Sequence, residues 1–315
     1  MTEITANYDE TWKAAIGEYF EAFIKFFYPG LYQKIDWSKT PISLDKELEQ
    51  ITANSHTEKR YADKLFQVWL LDKIEIWILI HIEIQSQYDK EFPQRMFIYN
   101  YRAFDLYHKP VISLAILGDE NQKWRPYTYQ YGLGNSEVSC KFDIVKLIDY
   151  QWSELEQSNN IFAIVVMAHL KTKATTSNLS LREQWKWNLI RSLYDRGLNK
   201  VDIVNLFKFI DKMMSLTKEL QQKLISKIDE YEKETKMPFL SPTEELAMEK
   251  ATRTTQRNNI IKLLQVKFGN IPESLINNIN QIDDIPFLEQ VISTMTITSL
   301  EEFTNLVISK LPKSE

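Results

Sequence analysis

YADKLFQVWLLDKIEIWILIHIEIQSQ, residues 61–87, alternates with a period of two over its second half. The alternation sets Ile76, Ile78, Ile80, Ile82 and Ile84 on one face of a strand and Trp77, Leu79, His81, Glu83 and Gln85 on the other. An all-isoleucine face calls for burial, and a β-branched run of this kind suits a central strand covered by helices on both sides. Glu83 then stands at an enclosed edge. A charge there is costly unless it is paired, protonated or bound to a metal, which marks Glu83 as a candidate functional residue.

A second carboxylate, Asp63, precedes the apolar run that comes before. The spacing predicts an antiparallel hairpin of Lys64–Leu70 and Ile74–Gln85 around Leu71-Asp72-Lys73, with Asp63 at its entry and Glu83 and Gln85 at its exit. Two carboxylates and an amide meet in this reading. Magnesium keeps several waters and takes only one or two protein carboxylates, so two such donors, a backbone carbonyl and water suit Mg²⁺, with Mn²⁺ as a substitute.

Asp63 followed, after a strand and a turn, by Glu83-Ile84-Gln85 resembles the D…(D/E)xK signature of the PD-(D/E)xK nuclease superfamily. The surrounding text resembles its recombination-promoting nuclease (putative transposase) branch in Phe26–Gly30, Leu44–Leu48, Arg60–Asp63, Ile82–Ser86 and the helix starting near Phe92, over roughly residues 8–170. The resemblance implies a restriction-endonuclease-like α/β fold, a mixed sheet flanked by helices, and Mg-dependent endonucleolytic hydrolysis of DNA to 5′-phosphate ends. It further implies metal ligation by Asp63, Glu83 and the Ile84 carbonyl. Gln85, which replaces the usual lysine, would position the attacking water without supplying that lysine's charge.

Composition bounds these expectations. A chain of 315 residues with 44% hydrophobic and 26% charged residues can bury a sizeable core and reads as globular. The net charge of −5 differs from that of a generic nucleic-acid coat protein, so DNA as partner requires a local basic patch or a metal. One cysteine, Cys140, excludes an intramolecular disulfide and points to a reducing cytoplasm. MTEITANYDETWK at the start has no basic stretch followed by an apolar run, which predicts no secretory leader; the apolar run at Ile74–Ile84 is too short to span a bilayer, which predicts no membrane partner. Four histidines leave little material for a His-rich metal site.

Along the chain, residues 8–28 read as one amphipathic helix ended by Pro29-Gly30. Glu21 on that helix and Glu47 before the hairpin are additional carboxylates that either reach the metal or lie on solvated faces. After Gln85 a helix is expected over about Phe92–Tyr107, where Arg95, Tyr99 and Arg102 recur at i, i+4 and i+7. Such a row could hold DNA phosphates, or its arginines could bond nearby acids such as Asp105. Strands follow at Val111–Leu117, about Tyr127–Tyr131 and about Ser139–Val145.

Beyond Tyr150 only helical patterning remains, divided by linker candidates Lys171–Ser180 and Glu232–Thr243. This predicts a nuclease-like core over 1–170, a helical extension over 171–240 and an all-helical C-terminal unit over 241–315, whose role includes self-association as one option. Leu181–Arg196 mixes arginine and lysine with tryptophan, either as a nucleic-acid strand contact or as a packing helix. The acidic balance and Gln85 leave a non-catalytic binding or assembly module on the nuclease fold as the alternative to a nuclease.

Overall fold

The computed structural model describes residues 8–46, 62–72, 75–83, 88–235, 242–294 and 299–310; at residues 9, 62–63, 75–83, 232, 235, 242–250, 290, 292–294, 302 and 309–310 the description is of the backbone alone. Glu47, Ile84 and Gln85 lie outside the described residues. The chain divides into two compact units, Met1–Tyr231 and Glu232–Glu315.

The first unit opens with α1 (Tyr8–Glu18), α2 (Phe20–Phe27) and α3 (Pro29–Tyr32), followed by β1 (Ile42–Ser43), β2 (Ala62–Trp69) and β3 (Glu75–Glu83). Next come α4 (Phe92–Tyr107), β4 (Val111–Leu117), β5 (Thr128–Leu133), β6 (Ser136–Lys141) and β7 (Asp143–Lys146). The helices α5 (Trp152–Gln157), α6 (Ile161–Ala174), α7 (Leu179–Asp195), α8 (Lys200–Met213) and α9 (Lys218–Thr235) complete the order.

The sheet is mixed, as the sequence predicts: strand order β1-β2-β3-β4-β7, with β2 and β3 antiparallel and β3, β4 and β7 mutually parallel. Its two faces follow from the alternation in β3. Phe66, paired with Ile78, stacks on Phe20 of α2 at 3.9 Å, so α1 and α2 cover the isoleucine face. Leu65, paired with Leu79, packs with Tyr99 and Ala103 of α4, so α4 covers the other. Both faces are enclosed, as a parallel-rich sheet requires.

The expected single helix over 8–28 is broken at Tyr19, whose backbone leaves the helical region (φ −124°, ψ 42°). Its hydroxyl donates to Asp202 Oδ1 (2.9 Å) and accepts from Asn205 Nδ2 (3.1 Å), both on α8, and its ring meets Phe209 edge-on. These contacts turn the chain toward α8. The expected strand Ser139–Val145 is also two strands. Phe142 turns inward against Phe92 and Trp124, so β6 pairs with β5 as a separate hairpin and β7 joins the main sheet.

Lys171–Ser180 is not an open linker: helix α6 continues through Ala174, and Lys171 Nζ lies 3.6 Å and 4.1 Å from the ring centres of Trp185 and Trp152. α6 is apolar around its circumference, buried from Phe162 to His169, and it is the central helix against which Trp12, Phe23 and Phe27 pack. On α7, Arg182 and Lys186 point inward, to Thr172 and Ser215 carbonyls and to Asp211 respectively. This is the packing-helix arrangement for Leu181–Arg196.

The second unit holds α10 (Pro242–Phe268), α11 (Glu273–Ile279), α12 (Ile285–Thr294) and α13 (Leu300–Lys310) around Ile260, Leu264, Leu275, Leu288 and Phe303. Among the described residues no helix is long and apolar enough to cross a membrane.

Candidate functional site

β2 and β3 pair in a register that sets Asp63 opposite His81. Directly opposed residues share a face, and so do residues two apart on one strand; Asp63, His81 and Glu83 therefore occupy the face covered by α4. Asp63 and Glu83 are diagonal neighbours across an antiparallel pair, a relation that separates backbones by roughly 7–8 Å. Asp63 is inside its strand rather than before it, one step deeper than the hairpin reading predicts.

The surroundings of these positions are set by the parallel half of the sheet. Glu83 pairs with Leu117, which pairs with Lys146, so the three form a row across the C-terminal ends of β3, β4 and β7. Over the same face lies α4: Phe92 and Met96 pack with Ala115 and Leu117, while Tyr99 and Ala103 pack with Leu65. The edge beyond the carboxyl ends of parallel strands is where open α/β sheets hold ligands.

Arg95, Tyr99 and Arg102 do recur at helical spacing, but they share the stripe that carries Phe92, Met96 and Ala103. Arg95 is 4% exposed and ion-paired with Asp89, Tyr99 is 2% exposed and Arg102 is half-buried. As folded, the row does not offer an external phosphate surface, because its spacing is the spacing of the sheet-facing stripe. The Arg95 guanidinium is taken up by the Asp89 carboxylate instead.

Glu21 lies elsewhere. It is on α2, the helix over the isoleucine face, exposed and accepting a hydrogen bond from the Tyr32 hydroxyl (3.1 Å). The structure does not bring it to Asp63 and Glu83.

Two buried polar groups near the strand ends were not read from the sequence. The Lys146 ammonium donates to both oxygens of Asp119 (2.9 and 2.7 Å) and to the Trp124 carbonyl (2.9 Å), and both side chains are fully enclosed. All three of its N–H donors are used, so Lys146 is a structural tie between the ends of β4 and β7. The only signal in the sequence was a charged residue closing each of two apolar strands.

His169, on α6, is the other. Its Nδ1 accepts from the Trp12 indole N–H (3.3 Å), which leaves Nε2–H facing the Gly118 carbonyl (3.3 Å). Burial, aided by the Lys173 charge and only partly opposed by Gly118, pushes its pKa down to about 3. With both ring nitrogens engaged in these bonds it is a neutral core residue and not a metal ligand. Among the described residues no three His, Cys, Asp or Glu side chains gather into a metal-binding group.

The sign of the His169 shift sets a pH dependence. Between pH 6.5 and about 3 the unfolded chain takes up a proton that the folded chain refuses, so stability present at neutral pH is lost as pH falls through that window. Each unit costs about 1.4 kcal/mol. The stability difference between wild type and His169→Gln, measured by urea unfolding, is expected to shrink by about 2 kcal/mol from pH 7 to pH 5. A difference independent of pH would contradict the neutral assignment.

No protein-family model, no curated protein and no solved structure matches the chain.

Proposed function

We propose that the chain is a metal-dependent endonuclease that hydrolyses DNA phosphodiester bonds, acting in the cytoplasm and in recombination or transposition, on a sheet of the restriction-endonuclease-like kind. The observation that carries this reading is the register: it sets Asp63 diagonal to Glu83 on the enclosed face, at the C-terminal edge of the parallel strands. Two carboxylates in that relation are a hard, oxygen-only donor set with the charge and number that Mg²⁺ takes from a protein, so the residues fit the ion.

Asp63 and Glu83, with the carbonyl of Ile84, are the groups that would hold Mg²⁺ or Mn²⁺. When bound, the ion polarises the scissile phosphate and lowers the pKa of a coordinated water. Gln85, following two places after Glu83, is assigned to orient that water through its amide, which can donate and accept but carries no charge.

Incubating the purified chain with supercoiled plasmid and Mg²⁺ or Mn²⁺ is expected to give nicked and then linear DNA with 5′-phosphate ends, and EDTA is expected to stop the reaction. Calorimetry should register cation binding without DNA. Absence of both cleavage and cation binding would leave the alternative, a binding or assembly module on this fold. That alternative is favoured by Gln85 in the lysine position and by the net charge of −5.

A further inference from the structure

α4 carries a second stripe opposite to the one that packs on the sheet. Phe97, Tyr101, Phe104 and the helix-capping His108 recur at i, i+4, i+7 and i+11, the positions a surface helix ordinarily fills with polar residues. The hairpin β5–β6 extends the stripe. Phe97 stacks between Tyr101 (6.2 Å, 23°) and Tyr129 (5.3 Å, 22°), and Tyr131 meets it edge-on at 6.1 Å. Tyr101, Phe104 and Tyr131 remain 52%, 51% and 54% exposed in the whole chain.

We propose that this aromatic face is a homodimer interface, pairing two-fold with the same face of a second copy. Three observations favour that occupant. The first is area: the half-exposed rings of Tyr101, Phe104, Tyr131 and Tyr127, with the exposed hairpin-tip Leu133, offer about 500 Å² of apolar surface. A standard interface buries about 800 Å² per partner, about 65% of it apolar in homodimers, which is the same quantity. The second is charge. Asp105 and Lys109 directly follow Phe104 and His108 of the stripe, an acid and a base at its C-terminal end that a two-fold rotation can match with each other. The third is the hairpin: among the described residues β5 and β6 pair only with each other, and a two-stranded ribbon is marginal alone, so it gains most from being covered. This inference does not depend on the nuclease reading.

Sedimentation velocity of the full chain should show a concentration-dependent dimer below about 100 µM, because interfaces of this size reach micromolar affinity or better. Tyr101→Glu with Phe104→Glu, and separately Tyr131→Glu, should weaken dimerisation by about 100-fold, with unchanged circular dichroism and melting temperature. Val266→Glu, at an exposed position of the second unit, should leave it intact. A wild type that stays monomeric, or variants that dimerise as well as it does, would overturn the proposal. So would a monomeric wild type that binds single-stranded oligonucleotide through these same rings, since the face would then be a base-stacking platform.

Discussion

Asp63→Ala protein, purified and checked by circular dichroism for an intact fold, is expected to cleave supercoiled plasmid at least about 1,000-fold more slowly than wild type, and Glu83→Ala likewise. The magnitude follows from what a divalent ion contributes to a phosphoryl transition state, several kcal/mol, at about 1.4 kcal/mol per tenfold in rate. Each carboxylate supplies half of the protein's charged donors, so losing either should release the ion. The double variant should be little worse than either single one, because residues that act as a unit are not additive. Calorimetric cation binding should disappear in parallel. Undiminished cleavage by both single variants would remove the site from this face of the sheet, whatever the fold.

Lys146→Met is expected to destabilise the first unit by about 3–5 kcal/mol, lowering its melting temperature by roughly 10 °C. The variant leaves the Asp119 carboxylate enclosed with its counter-charge gone and the Trp124 carbonyl with one bond fewer. A double variant, Asp119→Leu with Lys146→Met, should recover much of that loss, because two apolar groups of similar volume carry no desolvation cost. If the single variant melts with the wild type, the pair is not the tie between β4 and β7 described above. If the double variant is no better than the single one, the enclosed charge is not the source of the loss.

The hairpin and the mixed sheet were legible because a period of two over Ile76–Ile84 admits one reading of the faces, and two isoleucine-rich or aromatic runs joined by a short turn admit one pairing. The split at Phe142 was not legible. A strand turning its aromatic inward to meet Phe92 and Trp124 keeps the same letters as an unbroken one. Helical spacing alone did not tell the inward stripe of α4 from the outward one either, since each contains aromatic residues and an arginine fits either by charge pairing; the difference is set by Asp89, six residues upstream of Arg95. The Asp119–Lys146 tie spans 27 residues and two strands, a separation at which sequence carries no distance information. For the site, the nearness of Asp63 and Glu83 along the hairpin was legible, while the choice between metal and solvent for Glu21, which the structure shows exposed, was not, because a carboxylate on the first helix can lie over either side of a sheet whose coverage the sequence does not assign.

Three strands running the same way, β3, β4 and β7, release the chain at one rim, just past Glu83, Leu117 and Lys146. Past Leu117, Asp119 and Trp124 are built into the fold beneath, while the residues between them, 120–123, are exposed. That short stretch is therefore free to diverge among descendants of this chain, exchanging preferences for what it grips while the scaffold underneath is inherited unchanged.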